Sequence, residues 1–234
     1  MAIVGTRAPS ADAAETARLA ATIARSLGSV VVGALARGID TAAHRATLAA
    51  DPDAPTKKPL PATIAVLGSA LTALYPAENH DLAEKIKDRG SVVTERLSGA
   101  VRPSWLVQRN RIISGLGRRV LIVEFREGKD GSLHTARFAL DQGRQVAVWN
   151  RWKAQDLDAA RRVLDRCGVP SFDLISNEME LIDWLDRTAP EGPGFSEPTL
   201  LFERPASGVD REDRLWPVLW PIDPFAGHVL WLIA

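Results

Sequence analysis

Short, densely apolar runs alternate along this chain with longer stretches whose apolar positions recur at helical spacing. "AIVG" predicts a first strand, and Ser10 is placed to cap an alanine-rich helix running to about Leu27. "SVVVGAL" predicts a second strand, followed by a helix from Thr41 to Ala50. The segment "DPDAPTKKPLP" holds four prolines and reads as a loop. "TIAVLG" predicts a third strand, "AENHDLAEKIKDRG" a helix ended by Gly90, and "SVVTE" a fourth strand. "VQRNRIISGLG" reads as a helix, "RVLIVEF" as a fifth strand, "GSLHTARFALDQG" as a helix and "QVAVW" as a sixth strand. Strands this β-branched, without clean alternation of apolar and polar positions, fit a parallel sheet covered on both faces. The expected architecture is α/β: a Rossmann-like, doubly wound, mostly parallel sheet with helices on both faces.

In such sheets ligands bind beyond the carboxyl ends of the strands. Gly5, Thr6 and Arg7 follow the first strand, and Arg37, Gly38 and Asp40 follow the second. "GSA" follows the third, "ER" the fourth, and "REGKDGS" the fifth, ahead of a helix beginning near Ser132. Backbone N–H groups at Gly131–Ser132, with the Ser132 and Thr135 hydroxyls, would form an anion site. Arg7, Arg37 and Lys129 would supply charge beside it. Taken singly, each of these residues reads better as a cap or a surface cation. Their shared edge points to a phosphate-bearing ligand. Asp40 carries the wrong charge for such a ligand and is expected to cap the second helix or to orient Arg7 or Arg37. His44 is expected to act as a cap rather than as a phosphate contact.

Composition bounds the reading. The 234 residues allow one medium-sized domain plus extensions, and 46% apolar with 25% charged residues is ordinary for a globular protein. The single Cys167 excludes a disulfide framework and a multi-thiolate zinc site, so a reducing cytoplasm is the expected compartment. No apolar run approaches the roughly 20 residues of a membrane span, and "MAIVGTRAPS" does not read as a signal peptide. The zero net charge is unevenly laid out. Residues 172–234 hold twelve acidic and four basic side chains, a balance of −8, so residues 1–171 carry +8. The segment from Arg96 to Arg119 contains six arginines and no acid.

"AIVGTRAPS", "ALARGIDTAAH", "TIAVLGSALTALYPAENHDL", "RNRIISGLGRRVLIVE" and "GSLHTARFALDQGRQVAV" occur in this order. Together they resemble the Rossmann core of the DNA-processing protein A family, DprA or Smf, closely over about residues 1–148 and more loosely to 188. The resemblance implies a cytoplasmic, dimeric protein that binds single-stranded DNA and assists loading of the recombinase RecA during DNA uptake. It implies no catalysis, cofactor, metal or membrane association. Non-specific single-strand binding wants a basic groove and flat groups for bases. Arg109, Asn110 and Arg111 would form a phosphate clamp, and Trp105 would stack a base or pack in the core. The expected contacts are Gly5, Thr6, Arg7, Ser10, Arg37, Gly38, Trp105, Arg109, Asn110, Arg111, Lys129, Gly131, Ser132 and Thr135, with Asp40 and His44 structural or orienting.

The chain also departs from the family. Gly33 and Ala34 stand where Ser and Gly are usual, and Leu106, Val107 and Gln108 where an aromatic, a proline and an often basic residue are usual. Trp149 and Asn150 replace a Pro-Gly pair after the sixth strand. No helix-hairpin-helix domain is expected ahead of the core. Residues 189–234 form a Pro- and Trp-rich tail, unlike a winged helix, expected to pack on the core (1–188) or on a sister subunit. An alternative is a Rossmann-type nucleotide-sensing domain of a defence system. A nucleotide-cleaving hydrolase would need a "PGGxGTxxE" string that is absent, although Glu95 and Glu124 end strands at the ligand edge.

Overall fold

The computed structural model describes residues 1–50, 61–126, 131–150, 154–187, 216–219 and 229–233. Seven strands run parallel: β1 (Ala2–Val4), β2 (Val31–Ala34), β3 (Thr63–Leu67), β4 (Ser91–Thr94), β5 (Arg119–Ile122), β6 (Gln145–Trp149) and β7 (Asp173–Ile175). Beyond β4 the sheet continues into an antiparallel hairpin of β8 (Trp216–Leu219) and β9 (Val229–Ile233), giving the order β7-β6-β5-β1-β2-β3-β4-β9-β8. From β1 the chain winds outward to β4, then returns to β5 on the other side of β1. The winding therefore reverses between β1 and β5, where doubly wound sheets open a ligand crevice.

Alternate strand residues feed two cores. Val4, Val32, Ile64, Val66, Val120 and Ile122 face α5 (Asn110–Leu116), α6 (Gly131–Asp141) and α7 (Ala154–Arg166), through Ile112, Ile113, Leu133, Ala136 and Leu164. Ile3, Val31, Leu121, Val123 and Ala147 face α1 (Ala11–Ser26), α2 (Ile39–Ala49) and α8 (Glu178–Asp186). Five alanines of α1 (Ala13, Ala17, Ala20, Ala21, Ala24) are buried and let α1 lie close on its neighbours, while Trp184 of α8 fills the same layer. α3 (His80–Arg89) covers the β3–β4 side through Leu82, Ala83 and Ile86.

Ser10 caps α1, its Oγ accepting the Ala13 N–H at 3.2 Å. Elsewhere the boundaries differ from the sequence pattern. α2 begins at Ile39 rather than Thr41, because Gly38 turns the chain directly into the helix. A 3-10 turn at Ala77–Asn79 precedes α3. The helix expected across "RNR" is two pieces, α4 (Pro103–Gln108) and α5, meeting at Arg109. Most of "DPDAPTKKPLP" lies outside the described residues. Pro217 lies in β8, the outermost strand of the sheet, the place where a proline's missing N–H is tolerated.

Candidate functional site

A cleft of about 860 Å³ opens at the carboxyl ends of β1, β2 and β5. Its walls are the Gly5–Ala8 turn, the end of β2, α4, Arg126 after β5, and the first turns of α6. Of the residues expected from the sequence, Gly5, Thr6, Arg7, Asp40, Arg109, Asn110, Gly131, Ser132 and Thr135 line it. Gly38 lies just behind. Its φ is 75°, and a Cβ there would come within 2.4 Å of Thr6 O, so only glycine lets the β1 and β2 turns meet. The Ile39 N–H donates to Thr6 O at 3.3 Å, tying the two turns together.

The floor is a buried polar network. Arg109, only 7% exposed, donates from Nε to Asn110 Oδ1 at 2.9 Å and from Nη1 to Val66 O. Asn110 Nδ2 donates to Gly131 O at 3.0 Å and so links α5 to the start of α6. Burial lowers the Arg109 pKa to about 10; the negative charge of Asp40 opposes that shift and Arg7 adds to it. Arg109 therefore remains a cation at neutral pH, but one built into the fold.

Asp40 is not the N-cap of α2, which is Gly38. Its Oδ1 accepts the Ala34 N–H at 2.8 Å. That amide ends β2, and a carboxylate in the first turn of α2 also suits the positive end of the helix. His44 is not a cap either. It lies within α2, wholly buried, with Nε2 2.7 Å from Ala34 O and Nδ1 2.8 Å from Thr63 Oγ1. Burial lowers its pKa to about 4, with the Ala34 bond opposing and Arg109 adding to the effect. The neutral ring must donate from Nε2, because a carbonyl only accepts, so Nδ1 takes the Thr63 hydroxyl proton. That hydroxyl lies 2.7 Å from Val31 O as well. His44 thus stitches β2 to β3 beneath the cleft.

Other expected contacts are placed differently. Arg37 lines a side crevice with Tyr75 and is held by both oxygens of Glu78, with Nη2 2.7 Å from Oε2; the pair raises the Arg37 pKa and lowers that of Glu78. Arg111 turns away from the cleft to an ion pair with Glu95, with both side chains largely covered. Arg111 therefore does not join Arg109 and Asn110 in the expected clamp, because positions two apart on a helix do not face the same way. Ser10 caps α1 while its N–H donates to Glu124 Oε2 at 2.9 Å. Trp105 is half-buried beside Arg96 and Arg102, off the cleft. Lys129 lies outside the described residues.

A model of the DNA recombination-mediator protein A family matches residues 1–167. The chain belongs to this family. It is 37% identical over 148 residues to protein Smf of Escherichia coli (strain K12), covering 62% of this chain and 37% of that protein. It is 38% identical over 146 residues to DNA processing protein DprA of Bacillus subtilis (strain 168), covering 62% and 46%. The chain thus spans less than half the length of these relatives. Among solved structures, DNA processing protein A of Streptococcus pneumoniae is similar at a TM-score of 0.62 and 30% identity, covering 78% of this chain and 60% of that one. DNA processing protein A of Helicobacter pylori, described for its single-stranded DNA binding mode, is similar at a TM-score of 0.64 and 24% identity, covering 79% and 78%.

Within this DprA-family chain the departures have local reasons. A Cβ at Gly33 would come within 2.9 Å of Asp40 Oδ1 and 3.1 Å of His44 Nε2, so Gly33 is fitted to the network below it. Leu106 lines the cleft where the family's aromatic is usual, and Gln108 accepts from Arg96 Nη2 at 2.6 Å. Trp149 packs against the α1–α8 core, while Asn150 ties β6 to β7 through its N–H to Ile175 O at 2.7 Å. The sequence reading missed Arg126, Arg137, His134 and Tyr75, all of which line the cleft. Arg126 opens the "REGKDGS" segment that also holds Lys129, so its place at the ligand edge pointed to it equally. Among the described residues no cluster of three or more His, Cys, Asp or Glu is placed to hold a metal, and no helix is long and apolar enough to cross a membrane.

Proposed function

We propose that this chain is the DNA-binding core of a DprA-type recombination mediator, and that its cleft grips the phosphate backbone of single-stranded DNA. The cleft at the winding reversal carries this reading: Arg7, Arg126 and Arg137 border it, Arg109 charges its floor, and α6 starts at its wall with Ser132 and Thr135. Helix starts and hydroxyls suit phosphate oxygens. No base-reading pattern is needed, so binding is expected without strong sequence preference. By family resemblance the protein works in the cytoplasm as a homodimer, assists RecA loading and performs no catalysis. The tail beyond 188 belongs to the fold or to the dimer contact.

The test is titration of labelled oligo-dT against salt. Each phosphate contact steepens the log–log salt slope by roughly 0.7. A flat response, or preference for duplex, would refute the proposal. A small-nucleotide site is the second reading, favoured by one observation: a volume of about 860 Å³ falls within the usual range of small-ligand pockets. A nucleotide panel titrated alongside oligo-dT separates the two.

A further inference from the structure

The side of α4 away from the cleft holds two cations against one indole. The Arg96 guanidinium lies 4.5 Å from the Trp105 ring centroid and the Arg102 guanidinium 5.2 Å. Gly99, with φ 101°, backs the ring so closely that a Cβ would reach 3.3 Å from Cη2. Arg96 has a neutral hydrogen-bond partner in Gln108, and among the described residues neither arginine is paired with a carboxylate. The indole face attracts each cation, yet two like charges on one ring repel each other. An anion reaching both would relieve that repulsion, and no acid between 96 and 119 supplies one.

The same short helix joins this cluster to the cleft. Pro103, Leu106 and Val107 of α4 line the cleft, while Trp105 projects to the other side. A single helix is only about 10 Å across, so an extended strand leaving the cleft reaches the cluster within a few nucleotides. We propose that Arg96, Trp105 and Arg102 form a second station for a nucleic-acid strand crossing α4. Its phosphate lies between the guanidiniums and a base lies against the flat guanidinium–indole stack, an arrangement suited to unpaired bases. The proposal rests on the reading of the cleft as a single-strand site.

Anisotropy titrations with oligo-dT of about six and about twenty nucleotides test it, bracketing the roughly 4–16 nucleotides that single-strand modules cover. The double variant Arg96→Gln/Arg102→Gln should bind the short oligonucleotide within about twofold of the parent. On the long one it should lose roughly tenfold or more, the scale of one stacked base. Its salt slope there should fall by roughly 0.7, one phosphate contact. Trp105→Phe should keep most of the long-oligonucleotide advantage and Trp105→Ala should lose it. A double variant matching the parent on the long oligonucleotide overturns the second station while leaving the cleft reading intact. Equal weakening on both lengths also overturns it, placing the arginines in the cleft site. A parent that binds neither length overturns both readings.

Discussion

Replacing Arg109 by alanine should damage the fold before it damages any ligand contact. Arg109 donates to Asn110 Oδ1 and Val66 O at a site only 7% exposed, and Asp40, 6% exposed, supports its charge. Removing the guanidinium leaves two buried acceptors without their donor, at about 1–3 kcal/mol each. It also removes a cation whose field favours the buried Asp40 carboxylate. These losses overlap, and water entering from the cleft offsets part of them, so a net loss of roughly 3–5 kcal/mol is expected. For a chain of this size that corresponds to a fall of roughly 6–20 °C in Tm. Arg109→Lys keeps the charge with one donor group and should fall between. Thermal and urea denaturation, run before any binding assay, measure both. An alanine variant melting within about 2 °C of the parent would refute the network argument. Arg109 would then be a surface-like cation that happens to be covered.

Arg7 is the contrasting case. It is exposed at the cleft and has no hydrogen-bond or ion-pair partner among the described residues, so Arg7→Ala should lower the oligo-dT salt slope by roughly 0.7 and leave Tm unchanged. Arg111→Ala should instead lose the Glu95 pair, about 1.5–3 kcal/mol of stability, with short-oligonucleotide affinity retained; the opposite pattern would return Arg111 to the site. For His44 the folded pKa of about 4 lies below the ordinary 6.5, so the unfolded chain binds the extra proton. Its contribution is fully present above pH 6.5 and is lost as pH falls from 6.5 towards 4, roughly 3 kcal/mol in all. Urea midpoints measured across that window should slope in the parent and flatten in His44→Gln, and parallel curves would exclude His44 as the source. Ending the chain at Arg187 removes β8 and β9 and bares the edge of β4, so light scattering should show aggregation or a smaller oligomer. Unchanged mass, solubility and oligo-dT affinity would leave the tail without a structural role.

The sheet was legible because each parallel strand is marked by its own residues. "SVVV", "TIAV" and "RVLI" are buried on both faces, and that requirement writes itself into composition. The ligand edge followed, since strand direction alone decides which turns share it. What escaped were partnerships in which one member is a backbone atom or a distant side chain. Asp40 answers an amide at Ala34 and Arg109 a carbonyl at Val66, and every residue type but proline carries both groups. Glu78 lies 41 residues from Arg37, with α2 and β3 between them. The break between α4 and α5 at Arg109 also left no clear mark, as "WLVQRNRII" has good helical composition throughout. Tertiary demand to bury Arg109 over Val66 decides it.

That distribution of partners bears on how the cleft binds. Arg37 is fixed by Glu78, Arg126 by a bond from Nη2 to Ala8 O at 2.8 Å, and Arg137 by a bond from Nε to Cys167 O. Each anchor uses part of the guanidinium and leaves the charge in place. Immobilising a long side chain on binding costs about 0.5–1.5 kcal/mol, and an anchored arginine has already met that cost during folding. The carboxylates weaken the net field, through Glu78 on Arg37 and Asp40 in the cleft lining, so the site trades attraction for fixed geometry. A mobile, long-range attraction would come chiefly from Arg7. Encounter and grip should therefore separate by residue: Arg7→Ala slows association and relaxes its salt dependence, whereas Arg126→Ala and Arg137→Ala act on dissociation. Stopped-flow mixing with oligo-dT reads the two rates directly. If Arg126→Ala slows association as much as Arg7→Ala does, with dissociation unchanged, the anchors confer no pre-organisation and the cleft acts only through its summed charge.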